Sequence, residues 1–109
     1  MTPNRPAEPL RCREPALATQ QADDGHVRVT RWDFNPGAET GFHRHGFLYV
    51  VVPVTDGTLL IELADGSTST ADLKAGVSYS RPAGVAHNVI NGGSAFLSFV
   101  ETEVLGLPG

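Results

Sequence analysis

The chain is expected to fold as a single all-β domain, and three observations carry that expectation. Glycine turns recur at short, even intervals: from Gly57 to Gly66, Gly76, Gly84 and Gly93 the steps are 9, 10, 8 and 9 residues. Strands joined by tight turns at roughly 8 to 12 residue spacing mark an antiparallel sandwich or barrel. Between the turns, β-branched and aromatic residues dominate, and these suit a pleated surface. No segment sustains a helical period between capping residues, so helix content should be low. At 109 residues the chain can remove roughly two thirds of its unfolded surface from water. One barrel or sandwich accounts for that length.

Residues 1–25 hold Pro3, Pro6, Pro9 and Pro15 with little apolar periodicity. Proline fixes φ and deletes a backbone donor, so this part reads as an extended or disordered arm draped over the barrel or a second subunit. Residues 26–109 read as the barrel domain. Strands are expected over residues 27–34, 47–54, 58–63, 85–90 and 96–100. Residues 48–54 are apolar on both parities, as in a strand buried on both sides, in a barrel wall or at a dimer interface. Pro53 cannot donate to a ladder, which places it at a strand end or an edge. The pairs Asp56-Gly57 and Asp65-Gly66 suit tight hairpins, because both residue types tolerate positive φ.

With 8 basic and 12 acidic residues, for a net charge of −4, the chain should attract neither a nucleic-acid backbone nor an anionic membrane. No apolar run reaches the roughly 18 residues of a membrane span, and no signal-peptide core precedes the first strand. Cys12 is the one cysteine, which suits a reducing, cytoplasmic compartment.

Three of the four histidines form the chemical signal. Alternate residues of a strand share a face, so His43 and His45 project together while Arg44 points away. Some 6.6 Å separates them at about 3.3 Å per residue, close enough to share one ion. His87 follows just after Pro82-Ala-Gly84, a turn able to bring a distant strand alongside. His26, in the turn-like stretch Asp24-Gly25-His26, reads as an ordinary surface residue, and Asn91 before Gly92-Gly93 as a turn former.

These segments resemble the two motifs of the cupin family, written G-x5-H-x-H-x(3,4)-E-x6-G and G-x5-P-x-G-x2-H-x3-N. Gly37, His43, His45 and Gly57 match the first, and Gly76, Pro82, Gly84, His87 and Asn91 the second. The resemblance implies a double-stranded β-helix, a jelly-roll barrel, with a metal held by His43, His45 and His87, and a homodimer. The chain departs from the pattern at the glutamate: Val50 fills its place and Tyr49 the neighbouring one. Val lacks a lone pair, and Tyr, with a pKa near 10, stays protonated. A three-histidine site is therefore implied, as in cupin-type thiol and diketone dioxygenases, which bind ferrous iron. The stretch from His43 to Leu60 also looks like small bacterial cupins associated with β-alanine degradation.

Three neutral imidazoles leave a divalent ion at +2, which favours an anionic, bidentate substrate: a thiolate, an enolate, or an amino or keto acid. Imidazole suits several metals, so Fe2+ is favoured on the resemblance alone, beside Zn2+, Ni2+ and Mn2+. Tyr49 and Arg81 are the candidate catalytic residues, one to orient an oxyanion and the other to pair with a substrate carboxylate. Trp32 and Phe47 are candidate pocket walls, and Arg44 is a weaker anion partner. Glu39, Glu62 and Glu101, expected to be exposed, are candidate fourth ligands. The function expected is a non-heme iron(II) dioxygenase. A non-catalytic metal- or metabolite-binding module is the alternative, as is a metal-assisted isomerase or lyase with Tyr49 as base.

Overall fold

Among the described residues, nine strands build two antiparallel sheets: β1 (Leu17–Asp23), β2 (Val27–Phe34), β3 (His43–Arg44), β4 (Tyr49–Pro53), β5 (Gly57–Leu63), β6 (Thr68–Leu73), β7 (Tyr79–Arg81), β8 (Ala86–Asn91) and β9 (Leu97–Val104). The computed structural model describes residues 13–106. Five strands pair in the order β1-β2-β9-β4-β7 and four in the order β3-β8-β5-β6. The alternation of side chains turns one face of each sheet inward. Phe34, Tyr49, Val51, Leu97 and Phe99 from the larger sheet meet Leu59, Leu73 and Val89 from the smaller in one core. No helix among the described residues is long and apolar enough to cross a membrane.

Val27–Phe34 is the strand expected from its β-branched and aromatic residues. It pairs over its whole length with β9, from Val27↔Val104 to Phe34↔Leu97. Within the segment read as an arm, Leu17–Asp23 adds to β2 as the edge strand β1, with a bulge between Gln20 and Ala22. Every residue of β1 is exposed, so no hydrophobic alternation announces it. Backbone bonds Ala16 N to Glu39 O at 2.7 Å and Glu39 N to Glu14 O at 2.9 Å stitch the preceding residues to the barrel. Residues 1–12, with Pro3, Pro6, Pro9 and Cys12, lie outside the described residues.

Two expectations need correction. The run 48–54 is covered on one face only: Tyr49 and Val51 are 3% exposed, but Leu48, Val52 and Val54 are 47%, 39% and 43% exposed. Its alternate side chains stand on the outer face of the sheet, where the described residues leave them exposed. The strand with both parities buried is β8, from His87 to Asn91.

The second correction concerns Asp56-Gly57, which is not a hairpin. Gly57 opens β5 as the chain passes from one sheet to the other, and the positive-φ glycines do not include it. It is glycine because a Cβ there would lie 2.5 Å from Leu97 Cδ1, and Leu97 is fully buried with little room to shift. Asp65-Gly66 does turn a hairpin between β5 and β6. Gly66 takes φ of 87°, and Asp65 Oδ1 accepts from Ser67 N at 2.9 Å. Pro53 is the last residue of β4, as its missing donor requires.

Candidate metal centre

Strand register brings the three histidines together. β3 pairs with β8 so that His43 stands directly opposite His87, a cross-strand position where side chains are close neighbours. His45 lies just past β3, held by backbone bonds from His45 N to Val85 O at 2.8 Å and from Gly84 N to His45 O at 2.7 Å. Gly84 reaches that position with φ of 99°, in the left-handed region that favours glycine. Arg44 is exposed on the opposite side, as the alternation predicts.

The imidazoles converge through Nε2: His43 to His45 is 3.0 Å and His45 to His87 is 3.2 Å. His43 Nδ1 lies 2.9 Å from Gly41 O. A carbonyl only accepts, so that nitrogen carries the proton and Nε2 presents a lone pair. His45 Nδ1 faces Glu101 Oε2 at 3.5 Å, a contact longer than a hydrogen bond. With a lone pair on His43 Nε2, the 3.0 Å approach of His45 Nε2 is satisfied by a proton on His45 Nε2 or by a cation between the two nitrogens. These separations are short enough for all three nitrogens to reach one ion at metal–nitrogen bonds of about 2.1 Å. The three residues could hold one metal ion, and their nitrogens all lie within 4.8 Å of one another.

Burial tunes the site. It pushes the His45 imidazole down to about 4, helped by the charge of His43. His87 falls to about 4, through burial and then the charges of His43, His45 and Arg81. Both are unprotonated at neutral pH, as metal ligation requires. Behind His43, Asn88 Oδ1 accepts from Gly41 N at 3.0 Å, while Asn88 Nδ2 donates to Glu39 at 2.8 Å and Glu62 at 3.0 Å. Arg13 closes this network with ion pairs of 3.1 Å to Glu39 and 3.4 Å to Glu62.

The remaining candidates separate. Tyr49 is buried and stacks on the His45 ring with centroids 3.8 Å apart. Its hydroxyl is pushed up to about 12, by burial first and then by Glu101. Of the two positions offered for the missing glutamate, Tyr49 is therefore the inward one. Val50 faces the other side of β4, paired with Thr102 and Ser80. A cavity of about 60 Å³ is lined by the three histidines, Tyr49, Tyr79, Arg81 and Glu101 together with apolar side chains. Trp32 and Phe47 do not line it. Trp32 packs against the core, and Phe47 lies under the Arg28 guanidinium, 6.0 Å from its ring centroid. The Arg81 guanidinium sits 4.6 Å over the Tyr79 ring.

None of the three glutamates is exposed, contrary to expectation: their side chains are 17% (Glu39), 26% (Glu62) and 12% (Glu101) accessible. Glu39 and Glu62 belong to the Asn88 and Arg13 network. Glu101 enters the cavity behind His45, and its carboxyl is pushed up to about 7 by burial and then by Glu103. A second grouping, His45 with Glu101 and Glu103, also has ligand spacing. Both Glu103 oxygens are taken by Arg28, at 2.8 and 3.2 Å, so the histidine triplet is the better centre. Thr40, Tyr79, Asn88 and the inward place of Glu101 escaped the sequence reading. The parity Leu97, Phe99, Glu101 was the available signal for the last.

Asn91 is a turn former as read, donating to Phe34 O and Ala95 O and accepting from Gly93 N. His26 stays at the surface, its backbone N–H bonded to Asp24.

Two antiparallel sheets closed around an inward histidine triplet define a small double-stranded β-helix with a candidate metal centre. The cupin domain pattern matches residues 30–103, and the chain belongs to the cupin family. It is 56% identical over 92 residues to the beta-alanine degradation protein BauB of Pseudomonas aeruginosa, covering 84% of this chain and 96% of that one. A crystal structure of a cupin domain from Bordetella pertussis superposes with a TM-score of 0.82 at 51% identity, over 86% of this chain and 97% of that one. A double-stranded β-helix protein from Klebsiella pneumoniae, 22% identical with a TM-score of 0.69 over 96% of this chain and 85% of that one, shares the fold.

Proposed function

We propose that the chain is a metal-dependent enzyme of the cytoplasm, a non-heme iron(II) dioxygenase acting on a small anionic metabolite: a thiol, a diketone, or an amino or keto acid. The observation that carries it is the convergence of three imidazole Nε2 atoms with no carboxylate among them. The ion held there would supply Lewis acidity, redox capacity and open positions for a chelating anion and oxygen. The chain's own residues do the rest. His43, His45 and His87 bind, and the apolar walls exclude bulk water. The Tyr49 hydroxyl stays protonated at neutral pH, a donor able to orient an oxyanion. That protonation weighs against the isomerase or lyase reading, which asks Tyr49 to be a base.

The name of the Pseudomonas relative supports a small amino- or keto-acid substrate, and the 60 Å³ cavity supports a small one of any class. The reading extends to a homodimer, supported by the exposed outer face of Leu48, Val52 and Val54. Protein purified anaerobically from its native host is expected to retain iron and to consume oxygen when a panel of small thiols, diketones and amino acids is added. Tightly held zinc with no oxygen uptake on any of them would overturn the dioxygenase reading.

Arg81 is the proposed carboxylate partner. It lies at the cavity rim, and none of the ion pairs among the described residues includes it. Charge-assisted hydrogen bonds contribute about 1.5 to 3 kcal/mol. Arg81→Ala should therefore raise KM by at least about tenfold with a smaller change in kcat. An unchanged KM removes Arg81 from the site.

A further inference from the structure

We infer that Glu101 is a positioning residue of the metal centre: presented by β9, its carboxylate accepts the Nδ1–H of His45 and so turns Nε2 toward the ion. The inference rests on the metal reading above. The β4–β9 register sets Glu101 opposite Val51, with Tyr49 opposite Glu103, so Glu101 enters the barrel on the same parity as Leu97 and Phe99. A carboxylate on a core parity is costly without partners. Those it has are His45 Nδ1, at 3.5 Å, and a hydrogen bond with the Trp32 side chain. Arg28, a cation whose charge also acts on Glu101, is paired through Nε and Nη2 with Glu103. None of the ion pairs among the described residues joins Glu101 to an arginine or lysine; the one it makes is with His45.

The arrangement accounts for the carboxylate that the cupin pattern leads one to expect beside the histidines. With Tyr49 in its place, the negative charge has moved from direct contact with the ion to one ring further back. A carboxylate behind a ligating imidazole fixes the tautomer and raises the basicity of the nitrogen facing the metal. It also returns part of the negative charge that three neutral ligands lack.

The test is titration of the full chain, freed of metal, with Co2+ against a competing chelator, for the wild type, Glu101→Ala and Glu101→Gln. Glu101→Ala should weaken Co2+ binding about 10- to 100-fold. Glu101→Gln should recover part of the loss, because its amide oxygen can still accept from Nδ1. In both variants the visible Co2+ bands should shift relative to the wild type, which a loss of folding stability alone would not cause. Wild-type affinity and bands in both variants would overturn the inference, as would a metal-bound structure with a Glu101 oxygen on the ion. If the wild type itself binds no Co2+, or binds it equally well as His87→Ala, the metal reading fails and the inference goes with it.

Discussion

Replacing His87 with alanine is expected to strip the chain of divalent metal. Removing a residue behind a ligand typically weakens a metal site 10- to 100-fold, so losing a ligand should weaken it by more than about 100-fold. His87 completes the triplet, opposite His43 across β3 and β8 and 3.2 Å from His45 through Nε2. With it gone, the ion keeps two protein ligands and an opening toward the cavity. Elemental analysis beside a folding check on the same sample reads the result, and His26→Ala, at a surface turn, is the control that should keep its metal. Full occupancy in a folded His87→Ala variant would sink the site.

Much of this site was legible because its residues sit at fixed offsets from turns. The spacing of His43 and His45 survives any uncertainty about strand ends, and Pro82 and Gly84 announce the turn that delivers His87. The missing glutamate was harder to place. Parity cannot be counted from His45 to β4, because residues 45–48 lie outside the ladders and a loop resets the alternation. Counting alone put Val50 in the vacancy, and the structure puts Tyr49 there, stacked on His45.

Sequence patterns also favour strands with an apolar face, which explains the omissions. β2 is rich in β-branched and aromatic residues, and its expected bounds match those observed. β1 is wholly exposed and β6 sends only Leu73 into the core; each pairs with one neighbouring strand, and their polar side chains do not advertise it. Glu101 was set down as exposed because an acidic residue usually is. Its parity with Leu97 and Phe99 argued the other way, and parity prevailed because β9 is paired on both sides, with β2 and β4, and cannot rotate to release one side chain.

Phe34→Ala should be the most destabilising single change. The side chain is fully buried, 5.4 Å from the Phe99 ring and 6.3 Å from Trp32 between centroids. Truncating such a residue costs about 3 to 5 kcal/mol, a large part of the roughly 5 to 15 kcal/mol a domain has. At about 4 °C or more per kcal/mol for a domain near this size, the melting temperature should fall by at least about 12 °C, and the single tryptophan, Trp32, is placed to report it. Phe34 does not line the cavity, so the histidines should remain competent in the molecules that are folded. Because only the folded state assembles all three ligands, metal at about 100 times its Kd should add about 2.7 kcal/mol to wild type and Phe34→Ala alike. Equal increments would show that the histidine end of the barrel is indifferent to the packing around Phe34; a variant that gains nothing from metal would show instead that this packing shapes the site.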